Sequence, residues 1–194
     1  MRLHRTKIDY LTHTWNFYSG CLNWQNGVCA VGKHCWAKSI TKRFEKNYPN
    51  GFKPTFYPEA FMEPLKFKKP ARIGCAFMGD LFGDWVDPKM KVCSKSGTVW
   101  IPENRMWAMS DLSEGTLQEV IIEVIKRTPQ HTFIFLTKCP QNLRKWSPFP
   151  DNCWVGTSLT GLEDDFYKRV DCLNKVKANV KFISFEPLLG TIGY

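Results

Sequence analysis

Apolar residues along this chain follow two distinct periods. The first is a short, nearly unbroken run, seen in Ala71-Arg72-Ile73-Gly74-Cys75-Ala76-Phe77-Met78, His131-Thr132-Phe133-Ile134-Phe135-Leu136-Thr137-Lys138, Cys153-Trp154-Val155-Gly156-Thr157-Ser158 and Lys181-Phe182-Ile183-Ser184-Phe185-Glu186. Runs of this length without polar alternation are the pattern of strands buried on both faces of a parallel sheet. A β-branched and aromatic run at 12–18, bounded by Ser19-Gly20, predicts another strand. The second period is helical. Leu117, Val120, Ile121, Val124 and Ile125 make an apolar face after a predicted helix start at 113–116, and Phe166, Val170 and Leu173 make another within 162–176. Ile40 and Phe44 mark a helix over 35–46, and a short helix is predicted at 141–146. Prolines at 54, 58, 64 and 70 make 52–70 a connector with one turn of helix near 59–62.

Strands alternating with helices predict parallel βα units with right-handed crossovers, an α/β fold. Each long apolar run ends in a polar residue: Asp80, Lys138, Ser158 or Glu186. In such folds the carboxyl ends of the strands carry the chemistry, so these four residues are expected to converge at one mouth. A capping or ion-pairing role is the competing reading for each.

The predicted strand at 12–18 feeds a loop holding Cys21, Cys29 and Cys35, three of the eight cysteines within fifteen residues. Clustered thiols in a chain without an export signal read as metal ligands, because a reducing compartment keeps them free. Zinc wants four nitrogen or sulfur ligands, which would recruit His34. An iron–sulfur cluster held by three thiolates leaves one iron open for a small molecule. The scattered Cys75, Cys139, Cys153 and Cys172 read as small buried hydrophobes.

At 194 residues the chain reads as a single domain, and a closed eight-stranded barrel would be at its lower size limit, so a partial barrel is expected. Lys and Arg outnumber Asp and Glu by 27 to 18, a net charge of +9 that points to a polyanionic partner such as DNA or RNA. The irregular segment 84–111 reads as an inserted loop or small β excursion. It mixes Lys89, Lys91, Lys95 and Arg105 with Trp85, Trp100 and Trp107, a combination suited to unstacked bases and equally to a self-packed loop. The first residues lack a signal-peptide core and no stretch approaches the ~20 apolar residues of a membrane span, so a cytoplasmic protein without a membrane partner is expected.

Thr14-Trp15-Asn16 with Gly20-Cys21, Pro54-Thr55-Phe56-Tyr57-Pro58-Glu59, Met78-Gly79-Asp80-Leu81-Phe82, Pro129-Gln130-His131-Thr132-Phe133, Leu136-Thr137-Lys138-Cys139-Pro140, Trp154-Val155-Gly156-Thr157-Ser158 and Ser184-Phe185-Glu186-Pro187-Leu188-Leu189-Gly190 resemble, in order, the motifs of the phage Gp37/Gp68 family, a domain of unknown function related to radical SAM proteins. The resemblance implies a partial (β/α) barrel of the radical SAM type with parallel strands. Its three cysteines would bind a [4Fe–4S] cluster, with S-adenosylmethionine on the open iron. The gaps of seven and five residues between the cysteines are wider than in most radical SAM enzymes. The family continues past Gly190 into another glycine-rich strand, so the chain is expected to be a fragment or a barrel lacking its last strand.

On this reading Cys21, Cys29 and Cys35 ligate the cluster and Asp80 faces the ammonium of S-adenosylmethionine. Lys138, Ser158 and Glu186 would bind its ribose or carboxylate, or the substrate. An electron donor protein reduces the cluster, and cleavage of the sulfonium gives a 5′-deoxyadenosyl radical that acts on an unknown substrate, nucleic acid among the candidates. The alternative from another class is a zinc-stabilised nucleic-acid-binding module without catalysis, using the same cysteines and His34. A third reading is a degenerate barrel that has lost its cofactor.

Overall fold

The computed structural model describes residues 3–93, 98–99 and 115–192. Its main sheet has six strands. In chain order they are β1 (Leu3–Arg5), β2 (His13–Trp15), β5 (Arg72–Cys75), β10 (Thr132–Thr137), β11 (Cys153–Leu159) and β12 (Val180–Phe185), and they lie side by side in that same order. All neighbours are parallel except β1, which runs antiparallel along β2. The sheet is open, with β1 and β12 as its two edges. The architecture is therefore mixed α/β with a mostly parallel sheet, as the alternating pattern predicts, and a closed barrel is not what these strands form. The edge strand β1 was absent from the sequence expectation because three residues are too short to show a period.

A second sheet grows out of the first. β3 (Tyr18–Gly20) follows β2 and β6 (Met78–Gly79) follows β5, each after two residues, and β3 pairs with β6 in parallel as β2 does with β5. At the break Ala76 takes a positive φ of 58° and its N–H donates to the Trp15 carbonyl, while the Met78 N–H donates to the Asn16 side chain. Asn16 thus replaces a ladder bond with a side-chain acceptor and lets both strands change direction together. The runs at 12–18 and 71–78, each expected as one strand, are for this reason two. β4 (Thr55–Phe56) completes this sheet antiparallel to β3. β7 (Lys91–Cys93) and β8 (Thr98–Val99) fall within the segment 84–111 and, with β9 (Gly115–Thr116) just beyond it, make a small antiparallel sheet, while Lys95, Trp100, Arg105 and Trp107 lie outside the described residues.

The helices are α1 (Trp36–Arg43), α2 (Glu63–Lys66), α3 (Leu117–Lys126), α4 (Leu143–Trp146) and α5 (Phe166–Asn174). α3 begins on a capping box. The Thr116 side chain accepts from the Glu119 N–H and the Glu119 carboxylate accepts from the Thr116 N–H, pairing two donors that a helix start otherwise leaves open. Its five periodic apolar residues are all buried in the core with Trp15, Phe17, Phe61, Phe133 and Phe135. Each tilted ring pair adds about 0.5–1.5 kcal/mol beyond its buried area, as between Trp15 and Phe17, whose centroids lie 4.4 Å apart. The Trp15 indole N–H is satisfied by the Ala60 carbonyl at 2.7 Å. Among the described residues no helix is long and apolar enough to cross a membrane.

Candidate functional site

Parallel strands point their carboxyl ends one way, and here those ends and the loops leaving them line a cavity of about 880 Å³. That is toward the upper end of the ~300–1,000 Å³ usual for small-molecule sites. Cys21, Cys29, His34 and Cys35 line it from the loop after β3, Asp80 from beyond β6, Lys138 from beyond β10, Ser158 from β11 and Glu186 from beyond β12. The cysteines and the polar strand ends singled out from the sequence are thus brought to one cavity.

The cysteine loop can sit there because two glycines touch. Gly20 has φ +90°, and a Cβ on it would lie 2.3 Å from the Lys53 carbonyl oxygen. A Cβ on Gly79 would lie 2.3 Å from the Gly20 carbonyl oxygen. Hydrogen at Gly79 lets β6 run this close to β3, and hydrogen at Gly20 lets the 53–54 backbone pass against the end of β3, where Cys21 leaves toward Asp80.

Asp80 is 4% exposed and its carboxylate is saturated. One oxygen accepts from Thr137 Oγ1 at 2.6 Å and the Phe82 N–H at 3.1 Å; the other accepts from Asn23 Nδ2 at 2.7 Å and the Lys138 N–H at 3.0 Å. A carboxylate offers about four lone-pair sites, and all are taken by protein donors. Asp80 therefore fastens the cysteine loop to the end of β10.

Lys138, Ser158 and Glu186 form one knot. The Lys138 ammonium donates to Ser158 Oγ at 2.7 Å and to the Glu186 carbonyl at 3.2 Å, and Ser158 Oγ donates to that carbonyl at 2.8 Å. An ammonium has three donors, so one proton and the charge stay available to the cavity. The exposed Glu186 uses its backbone in this knot and keeps its carboxylate outside it. The Tyr10 hydroxyl nearby is buried without a partner among the described residues; burial, then the Glu186 charge, pushes it up to about 12.

Burial, and then the Asp80 charge, also push the Cys21 thiol well above its usual range, against a hydrogen bond from the Asn23 N–H at 3.4 Å. Among the described residues no three His, Cys, Asp or Glu side chains form a group set to hold a metal ion. The donors share one cavity but are not drawn to a point.

Sequence reading missed Asn23, Cys139 and Arg169. Asn23 is 1% exposed. Its amide joins Asp80 to Cys139, whose thiol donates to Asn23 Oδ1 at 3.1 Å, and its carbonyl accepts from the Val28 and Cys29 N–H groups. Arg169 reaches from α5 to the carbonyls of Lys138 at 3.1 Å and Val28 at 3.4 Å while pairing with Asp165 at 2.7 Å. Cys139 could have been found from its place directly after Lys138. An Asn in a turn-rich loop and an Arg on an exposed helix carry no such signal.

Compared with known proteins, the chain matches the profile of a family described as protein of unknown function, DUF5131, over residues 5–96 and 101–194. No curated protein matches it. No solved structure matches it either.

Proposed function

This chain belongs to the DUF5131 family, and from that footing we propose that it is a radical enzyme on a partial (β/α) barrel of the radical SAM type. Cys21, Cys29 and Cys35 would hold a [4Fe–4S] cluster and the rest of the cavity S-adenosylmethionine. The resemblance to the phage Gp37/Gp68 motifs suggests the chemistry. The observation that carries it is that three thiols spread over fifteen residues line the same cavity as Asp80, Lys138, Ser158 and Glu186.

The donor set fits in chemistry: three thiols and no fourth cysteine in the loop, which leaves one iron open. When bound, a cluster held by Cys21, Cys29 and Cys35 would supply the single electron needed for reductive cleavage of a C–S bond of S-adenosylmethionine. An external electron donor protein provides that electron. Burial favours the protonated Cys21 thiol, so metal binding there would release a proton and should weaken as pH falls.

The remaining residues bind and orient. The third Lys138 proton faces a carboxylate or ribose oxygen, and Ser158 with the Glu186 carbonyl fixes the ammonium so that little freedom is lost on binding. The Glu186 carboxylate, free of the knot, receives the ligand's ammonium. Asp80 is a positioning residue that acts through Asn23 and the Lys138 backbone.

The test is anaerobic reconstitution followed by iron, sulfide and zinc analysis. A brown protein with about four iron and four sulfide per chain is expected, with iron lost in each of Cys21→Ala, Cys29→Ala and Cys35→Ala. A colourless protein with a single zinc would establish the binding-module alternative. Full iron content in all three variants would remove the cysteine assignment.

A further inference from the structure

We infer that the outer face of α1, at the rim of the cavity, is a docking surface for single-stranded nucleic acid. That this strand is also the substrate rests on the proposed function; the docking itself does not.

α1 buries only Ala37 and Thr41. One flank carries Trp36 and Ile40, which line the cavity, yet Trp36 remains 52% exposed, and Phe44, one turn beyond Ile40, is 48% exposed. On the other flank the Lys38 ammonium stands 5.0 Å over the ring of Trp24, itself 43% exposed. Lys42, Arg43 and Lys46 are exposed around the same helix end. From residue 21 to 47 the chain carries Lys33, Lys38, Lys42, Arg43 and Lys46 against Glu45 alone. Among the described residues the ion pairs of Arg127 with Glu123, Arg169 with Asp165 and Lys175 with Asp171 belong to α3 and α5 rather than to this patch.

Basic residues in a last turn also complement the helix dipole, which accounts for Lys42 and Arg43. It does not account for three large aromatic side chains left facing water beside them. Positive charge interleaved with exposed rings is what a single strand requires, phosphates meeting the ammonium and guanidinium groups and bases stacking on the indoles. A duplex hides its base faces and could use only the charges. Trp36 both lines the cavity and stays half exposed, so a base stacked on it would stand at the entrance.

The experiment is fluorescence polarisation of the full chain with labelled 12-nucleotide single-stranded DNA, single-stranded RNA and the matching duplex, at 50 and 200 mM salt. Three neutralised phosphates give a salt slope of about −2 for a single strand, a weakening of about 20-fold between those conditions. Trp36→Ala should weaken binding roughly 5- to 150-fold, as expected for one stacked base, and Trp36→Phe should restore part of it. Lys42→Gln with Arg43→Gln should flatten the salt slope. Preference for DNA or for RNA tells which source supplies the strand. No binding at 50 mM salt, equal or tighter binding of duplex, or affinity unchanged in Trp36→Ala would overturn the inference. Iron and sulfide are counted on the same samples used for strand binding, so the two proposals report separately: strand binding without iron would overturn the cluster alone, and full iron without strand binding would overturn the docking alone.

Discussion

The most heavily connected side chain of the site is Asp80, whose four accepted hydrogen bonds come from three separate stretches of chain. Replacing one carboxylate oxygen with an amide NH2 points a donor at donors that cannot turn away, and each buried donor left unpaired costs about 1–3 kcal/mol. Asp80→Asn should therefore lower stability by about 2–4 kcal/mol in urea unfolding. Glu186→Gln should leave the unfolding midpoint unchanged while weakening S-adenosylmethionine binding in calorimetry, since its carboxylate is exposed and outside the knot. The reverse pattern would exchange the roles of the two acids. Glu163 supplies a pH test. Burial pushes its carboxyl up, but hydrogen bonds from the Thr160 hydroxyl and the Thr160 and Gly161 N–H groups outweigh this, and the net shift is downward. A carboxyl lowered on folding stabilises above its unfolded value of about 4.3, and that gain disappears as pH falls through the folded value. The stability difference between wild type and Glu163→Gln should be full at pH 7 and vanish in stronger acid. A difference that persists unchanged in acid would contradict this. The sequence marked Asp80 and Lys138 because they end apolar runs; it was silent on Asn23, whose importance comes only from burial against residues distant in the chain.

Among elements, the site depends on β2 and β5 bending together into β3 and β6. That bend was illegible because its agents, the Asn16 side chain and a positive φ at Ala76, leave the apolar runs looking continuous. The glycines around it were visible as strand ends, but their mutual contact was not. Gly79→Ala places a methyl against the backbone carbonyl of Gly20, a contact no side-chain rotation relieves, and overpacking of this kind costs about 1–3 kcal/mol. Such a variant should unfold earlier and also take up less iron, because the strand pair delivers Cys21. Normal iron uptake would show that the loop is placed independently of the pair. Thr116→Ala offers a control distant from the site, with a loss of about 1 kcal/mol from the α3 cap and unaltered iron. The buried strands β10 and β11 and the face of α3 were legible because their apolar periods run long enough to decide between strand and helix; β12 was legible as a strand, but as an edge strand it is only partly buried and not covered on both faces as its apolar run predicts.

For the molecule as a whole, parallel order was legible from alternating strands and helices, and so was the convergence of polar strand ends on one cavity. What alternation could not give is closure, since edge pairing depends on strand number and tilt rather than on local pattern, and the sheet is open between β1 and β12. Net charge of +9 raised the expectation of a polyanionic partner without naming a face; the inference drawn from the exposed indoles beside α1 supplies one to test. The central claim is that this cavity joins a three-cysteine cluster to S-adenosylmethionine. Its most direct test is to reconstitute the full chain anaerobically, add dithionite and S-adenosylmethionine, and quantify products by chromatography. The account predicts methionine and 5′-deoxyadenosine formed together, in wild type and not in Cys21→Ala. A chain carrying its full complement of iron and sulfide that leaves S-adenosylmethionine intact would contradict it.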